Sequence, residues 1–197
     1  FRSEIMKLIQ KQNYKVLHLG RRQNQLEDDF LQWDLMNSIS NNPLSELMKK
    51  LQNKKMIGCF YGAGIMPELK LNPENESEKK KFWQSQENAM RVNYFSCVEL
   101  VQELLPYLLK KEDTDKSTPF VTYMSSLAAV SPLPGFELYG ATKSACLSYF
   151  NWLSKTYPSS VLTCLSIHPG TVETDMLNDI MMNPLYKNLE VFEILKQ

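Results

Sequence analysis

Tyr139 and Lys143 stand four residues apart in the segment YGATK. On a helix such positions share one face, a single turn apart. A lysine ammonium held beside a phenol favours the phenolate and lowers the tyrosine pKa from its ordinary value of about 10. A tyrosine tuned in this way exchanges a proton with a carbonyl or alcohol oxygen near neutral pH. The pair alone means little, since a Tyr and a Lys at this spacing are usually unrelated surface residues. Ser126 sharpens it, lying 13 residues before Tyr139 in YMSSLAAVSPLPGFELYGATK, with Asn93 further upstream in RVNYFSCVELVQELLPYL. Taken singly, Asn93 reads as a surface or capping residue, and Ser125 and Ser126 read as a strand-end turn. Their joint order and spacing favour chemistry.

The elements that must position these residues alternate along the chain. Short apolar runs at Lys15–Leu19, Phe30–Trp33, Met56–Phe60, Phe120–Met124 and Val161–Ile167 predict five strands. Helical periodicity is expected over residues 3–12, from about Pro43 to Leu51, through Met90 to Leu104 with Pro106 near its end, and from Leu138 to about Lys155. Residues 72–81 read as an exposed loop or helix start, and 110–118 as a polar turn. Alternation of this kind predicts one α/β domain over residues 1–197 with a mostly parallel sheet and right-handed crossovers. Ligands bind beyond the carboxyl ends of the strands in such sheets. Ser126, the Tyr61-Gly62-Ala63-Gly64 turn and His168-Pro169-Gly170 all follow directly after a predicted strand.

Bulk composition narrows the classes. Lys plus Arg equals Asp plus Glu at 22 each, so formal net charge is zero and no general pull toward nucleic acid or acidic membranes exists. The run Lys79-Lys80-Lys81 lies beside acidic residues and reads as solvated surface. Cys59, Cys97, Cys146 and Cys164 form no CxxC pair and no zinc-ligand spacing with a His, which leaves no metal site and predicts buried free thiols in a reducing compartment, cytoplasm or organelle. No apolar run reaches the roughly 18 residues that span a bilayer.

The segment around Ser126, Tyr139 and Lys143 closely resembles the active-site segment of the short-chain dehydrogenases/reductases, an NAD(P)-binding family with a Rossmann-like, doubly wound parallel sheet. The resemblance implies that Ser126 hydrogen-bonds the substrate oxygen and that Tyr139 is the general acid or base. It implies that Lys143 tunes Tyr139 and holds the nicotinamide ribose, and that Asn93 supports a water-linked proton relay. His168-Pro169-Gly170-Thr171-Val172-Glu173-Thr174 resembles the family segment in which the backbone at Val172 binds the carboxamide and Thr174 contacts carboxamide or phosphate. A structural role at a strand end suits His168 better than catalysis. Gly20-Arg21-Arg22 resembles the pattern that prefers NADP to NAD, because a base there accommodates the extra phosphate. Asp34 matches the acidic residue near the adenine. Ala63 and Gly64 keep the end of the family's NNAG motif, but Tyr61 and Gly62 replace its two asparagines, and loss of the Asn that steadies the central sheet is expected to loosen cofactor support.

The family's opening strand and glycine-rich phosphate loop should precede the helix at 3–12, and no glycine stands at Phe1-Arg2; the family's last helix and strand should follow the tail. The fold expected on this resemblance is therefore truncated at both ends. Two functions compete. One is an NADP-dependent oxidoreductase interconverting a small carbonyl and its alcohol. The other is a catalytically inactive structural subunit of a larger assembly. Met181, Met182, Leu185 and Tyr186 suggest either an apolar lid, hence an apolar or aromatic substrate, or an ordinary core helix. The apolar faces of the helices near 85–105 and 138–155 fit either a homo-oligomer or core packing.

Overall fold

The computed structural model describes residues 9, 11–12, 14–21, 29–39, 43–68, 73–110 and 117–186. They form two compact units, residues 1–55 and 56–197. Most of the helix expected over 3–12, the middle of the polar turn at 110–118 and the end of the tail lie outside the described residues.

In the first unit, β1 (His18–Gly20) and β2 (Phe30–Gln32) pair in parallel, with His18 opposite Phe30 and Gly20 opposite Gln32. The Trp33 N–H continues the ladder by donating to the Gly20 carbonyl at 2.8 Å. Leu31, Trp33, Ile39 and Leu47 are buried, and the Trp33 indole donates to the Asn37 carbonyl at 3.1 Å, so burial leaves its N–H satisfied. Helix α1 (Leu44–Leu51) carries Glu46 in its first turn and Lys49 and Lys50 in its last, the arrangement its dipole favours. Asn53, just past its end, takes the left-handed conformation with φ of 59°, which Asn tolerates.

In the second unit, β3 (Gly58–Tyr61), β4 (Phe120–Met124) and β5 (Thr163–Ile167) form a parallel sheet in the order β3-β4-β5. Val121, Thr122 and Tyr123 of β4 are all buried, as a strand flanked on both sides requires. Helix α2 (Glu76–Met90) starts at Asn75, whose Oδ1 accepts the Glu78 N–H at 3.0 Å while Glu78 Oε2 accepts the Glu74 N–H at 2.9 Å. This reciprocal pairing marks a helix start inside the polar stretch 72–81.

The long helix expected through residue 104 is interrupted. Residues Arg91–Phe95 form a wide π turn, in which the Ser96 N–H reaches five residues back to the Arg91 carbonyl. Helix α3 (Ser96–Leu108) follows and runs through Pro106 in its last turn. Helix α4 (Glu137–Thr156) packs on β5, and α3 packs on β3. Cys97, Val101, Leu104 and Leu108 of α3 and Cys146, Phe150 and Leu153 of α4 are buried. Burying each Leu contributes about 1.5–3 kcal/mol, enough to fix both helices on the sheet.

Register then places the site. Tyr61 lies opposite Tyr123, and Met124 opposite Ile167, so the three strands finish level with one another. The segments that begin at Gly62, Ser125 and His168 therefore leave the sheet along one carboxyl edge.

Candidate active site

Ser126 is in extended conformation, and its Oγ accepts the Ala128 N–H at 3.2 Å, opening the 3-10 turn Leu127–Ala129. That turn is pinned to α4 twice. The Ser144 hydroxyl donates to the Ala129 carbonyl at 2.8 Å, and the Ala128 carbonyl packs where Gly140 has no side chain. The docking sets the Ser126 hydroxyl beside Tyr139, where it opposes the rise of the phenol's pKa. Ser125 is used elsewhere: it is buried, its N–H donates to the Ile167 carbonyl at 2.8 Å, and its hydroxyl accepts from Tyr123 Oη at 3.2 Å.

Lys143, one turn after Tyr139, is 3% exposed. Its Nζ donates to the Met124 carbonyl at 2.8 Å and lies 5.4 Å from the centroid of the Tyr123 ring and 5.6 Å from that of Tyr139. The ammonium is thus held by one carbonyl and two aromatic faces. Burial lowers the Lys143 pKa to about 8, with the neighbouring thiols of Cys146 and Cys97 opposing. Burial also pushes the Tyr139 phenol up, with the Ser126 hydrogen bond opposing. The shift runs opposite to the lowering expected from Lys143, because desolvation penalises the phenolate.

Asn93 lies in the wide turn and is fully buried. Its Oδ1 accepts the Ile65 N–H at 2.8 Å, and its Nδ2 donates to the Ile65 carbonyl and to Thr142 Oγ1, both at 2.9 Å. Thr142 in turn donates to the Tyr139 carbonyl at 2.7 Å. Asn93 therefore clamps the segment after β3 to α4. Ala63 and Gly64, in that segment, are partly buried. A β-carbon at Gly64 would come within 3.3 Å of Lys143 Nζ and 3.6 Å of Asn93 Oδ1, so glycine keeps this edge of the site open.

Tyr61, at the position where the family carries an asparagine, bonds across to the neighbouring helix. Its hydroxyl donates to the Val92 carbonyl and meets Ser96 Oγ at 2.6 Å, tying β3 to the helix that carries Asn93.

After β5, His168 is exposed, Pro169 and Val172 are half-buried, and Gly170 takes a left-handed φ of 74° with open space around it. Thr174 Oγ1 accepts the Leu177 N–H at 3.2 Å and caps α5 (Asp175–Met182), so its hydroxyl already serves the helix end. In the first unit, Arg21 directly follows β1 and its carbonyl accepts from Gln32 Nε2 at 3.5 Å, while Asp34, just past β2, accepts the Met36 N–H at 3.1 Å. Both lie beyond the carboxyl ends of paired parallel strands. Arg22 lies outside the described residues.

An apolar cluster borders Tyr139. Ala128, Phe136, Ile180 and Tyr186 are buried, and Met66, Leu133, Tyr139, Met176 and Met181 pack against them. Phe136 meets Tyr139 and Tyr186 edge-on, with centroids 6.0 and 5.5 Å away. Of the lid candidates, Met181 and Tyr186 join this cluster, while Met182 and Leu185 are exposed.

Sequence reading passed over Thr142, Tyr123 and Gly140. For Gly140 a signal existed: a glycine inside a helix costs about 1 kcal/mol against alanine, and so marks a close approach.

Residues 3–184 match the short chain dehydrogenase family, and the chain belongs to it. Over 143 residues it is 33% identical to benzil reductase ((S)-benzoin forming) from Saccharomyces cerevisiae, an alignment covering 70% of this chain and 51% of that protein. The chain thus spans about half the length of this curated relative. The structure of a short chain dehydrogenase/reductase from the same yeast superposes with a TM-score of 0.77 at 19% identity, over 99% of this chain and 76% of that one. One from Shigella flexneri, complexed with NADP, superposes with a TM-score of 0.68 at 22% identity, over 87% and 78%. These likenesses show the Rossmann-type α/β fold. No helix among the described residues is long and apolar enough to cross a membrane.

Proposed function

We propose that this protein is an NADP-dependent oxidoreductase that interconverts an apolar carbonyl compound and its alcohol. One observation carries the reading: Ser126, Tyr139, Lys143 and the Asn93 clamp gather at one sheet edge, with the Ser126 hydroxyl acting on the Tyr139 phenol. The open edge that Gly64 leaves beside Lys143 and the unobstructed backbone at Gly170 fit a nicotinamide group. Lys143, Gly64, Ala63, Pro169, Gly170, Val172 and Thr174 would hold it, and the family resemblance assigns Arg21, Arg22 and Asp34 to the adenosine end. The cofactor, when bound, supplies the hydride that reaches the carbonyl carbon.

The remaining steps belong to the chain. Ser126 donates to the carbonyl oxygen and orients it. Tyr139 gives its phenolic proton to that oxygen as the C–H bond forms, leaving a phenolate and an alcohol. Lys143 stabilises the phenolate, and Asn93 holds the path by which the proton is replaced. A phenol held protonated by burial is in the form that reduction needs. In the oxidative direction the same groups run in reverse.

The apolar cluster beside Tyr139 supports an apolar, aromatic-tolerant substrate, and the benzil reductase relative makes benzil the first compound to test. Phe95 of the wide turn and Trp152 of α4, the latter stacked on Tyr149, are exposed and support self-association through the helices near 85–105 and 138–155. The buried thiols suit a reducing compartment. The competing reading, an inactive structural subunit, rests on Tyr61 and Gly62 standing where the family carries asparagines.

The test is NADPH consumption with a panel of aromatic ketones and diketones. Turnover is expected, and Tyr139→Phe should slow it by about 10²-fold or more. If the unaltered protein is no faster than Tyr139→Phe, the catalytic reading falls and the structural-subunit reading takes its place.

A further inference from the structure

The wide turn at Arg91–Phe95 changes which backbone groups need partners. In a regular α-helix the Ser96 N–H would serve the Val92 carbonyl; here it serves Arg91 instead. The Val92 carbonyl is taken up by two hydroxyls, Ser96 Oγ at 2.7 Å and Tyr61 Oη from the end of β3. The carbonyl of Asn93 accepts from the Cys146 thiol at 3.2 Å. Two successive carbonyls inside the turn are therefore met by side chains, and those of Tyr61 and Cys146 come from other elements. Tyr61 is 4% exposed and Ser96 fully buried, so water cannot replace either hydroxyl without rearrangement.

We infer that Tyr61 is a positioning residue for Asn93, its hydroxyl holding the wide turn open with Ser96 so that the Asn93 side chain reaches Ile65 and Thr142. Closing the turn to ordinary α geometry would remove one residue from the winding and rotate the preceding helix by roughly 100° against the following one. Asn93 cannot keep partners on both the Ile65 segment and α4 through such a rotation. The consequence passes along the chain from Ile65 to Gly64, whose open edge lies beside Lys143 Nζ. The effect on turnover rests on the catalytic reading above; the effect on Asn93 does not.

The experiment uses the whole chain labelled with 15N-asparagine, with the Asn93 side-chain amide assigned by its disappearance in Asn93→Asp. Hydrogen exchange of that amide is compared between the unaltered protein and Tyr61→Phe. Exchange is expected to quicken by about tenfold, the scale of one hydrogen bond. In the same variant kcat should fall while KM for the carbonyl compound stays within about twofold, a split that general loss of stability would not give. Should Tyr61→Phe fail to fold, Ser96→Ala removes the second hydroxyl and is expected to quicken Asn93 exchange in the same direction. Unchanged exchange in a folded Tyr61→Phe, or in Ser96→Ala where only that variant folds, overturns the inference. If the unaltered protein turns nothing over, the catalytic reading fails alone, and the exchange comparison still decides the role of Tyr61.

Discussion

The carbonyl oxygen of Ala128 faces Gly140 so closely that a β-carbon there would stand 2.6 Å from it. A backbone oxygen in a 3-10 turn cannot swing aside as the tip of a side chain can. By helix propensity Gly140→Ala should gain about 1 kcal/mol. The contact outweighs this gain, because the turn and α4 must separate, and overpacking of this kind costs about 1–3 kcal/mol. Separation also carries Ser126 away from Tyr139. Gly140→Ala is therefore expected to melt at a lower temperature and to lose about tenfold or more in kcat, an ångström-scale misplacement being enough for that. A variant that melts higher and keeps its rate would show that the turn has slack.

Lys143 gives a pH dependence of defined sign. In the unfolded chain it is protonated below its ordinary pKa of 10.5, whereas in the folded protein burial confines the charge to pH below about 8. Between these values the unfolded state binds more protons, so this group's contribution to stability rises with pH and is least favourable below pH 8. The buried thiol of Cys59, pushed up to about 12, and the raised Tyr139 act oppositely at higher pH. Those opposing groups are shared with Lys143→Met and largely cancel in a comparison. Denaturant titrations should show the unaltered protein gaining on Lys143→Met as pH rises from about 8 toward 10.5. A stability difference that stays flat across that window would mean that Lys143 is not buried as a charged group.

The cofactor preference is testable at Arg21. If its guanidinium meets the extra phosphate of NADP, Arg21→Asp replaces attraction with repulsion. Charge-assisted hydrogen bonds contribute about 1.5–3 kcal/mol, so NADPH affinity should fall by about tenfold or more. NADH, whose free ribose hydroxyls suit an acid, should lose nothing or gain. Fluorescence titration with both nucleotides measures this, and an unchanged ratio of the two affinities would remove Arg21 from the site.

What could be read from the sequence was what local pattern determines. The strand Phe120–Met124 and the helix from 137 to 156 follow from apolar periodicity and from the polar segments bounding them. The spacing of Ser126, Tyr139 and Lys143 is likewise local, spanning one loop and one helical turn. The wide turn at Asn93 was hidden because its partners are distant in sequence: Tyr61 lies 31 residues from Val92, and Cys146 lies 53 from Asn93. In sequence, Tyr61 showed only as a lost asparagine. The direction of the Tyr139 shift was hidden for the same reason, since residue spacing gives the neighbouring charge but not the depth of burial that opposes it.

The clamp at Asn93 ties together segments 28 and 49 residues away from it, and contacts of that span close late, after local helices have formed. Helix α4 alone can bring Tyr139 and Lys143 onto one face early in folding. It cannot supply the Met124 carbonyl under the ammonium, the Ser126 hydroxyl or the Ile65 backbone. A chain still emerging from the ribosome therefore carries the tyrosine–lysine pair without its setting. On the function proposed above, the protein begins to spend reducing power only once its last distant contacts are in place.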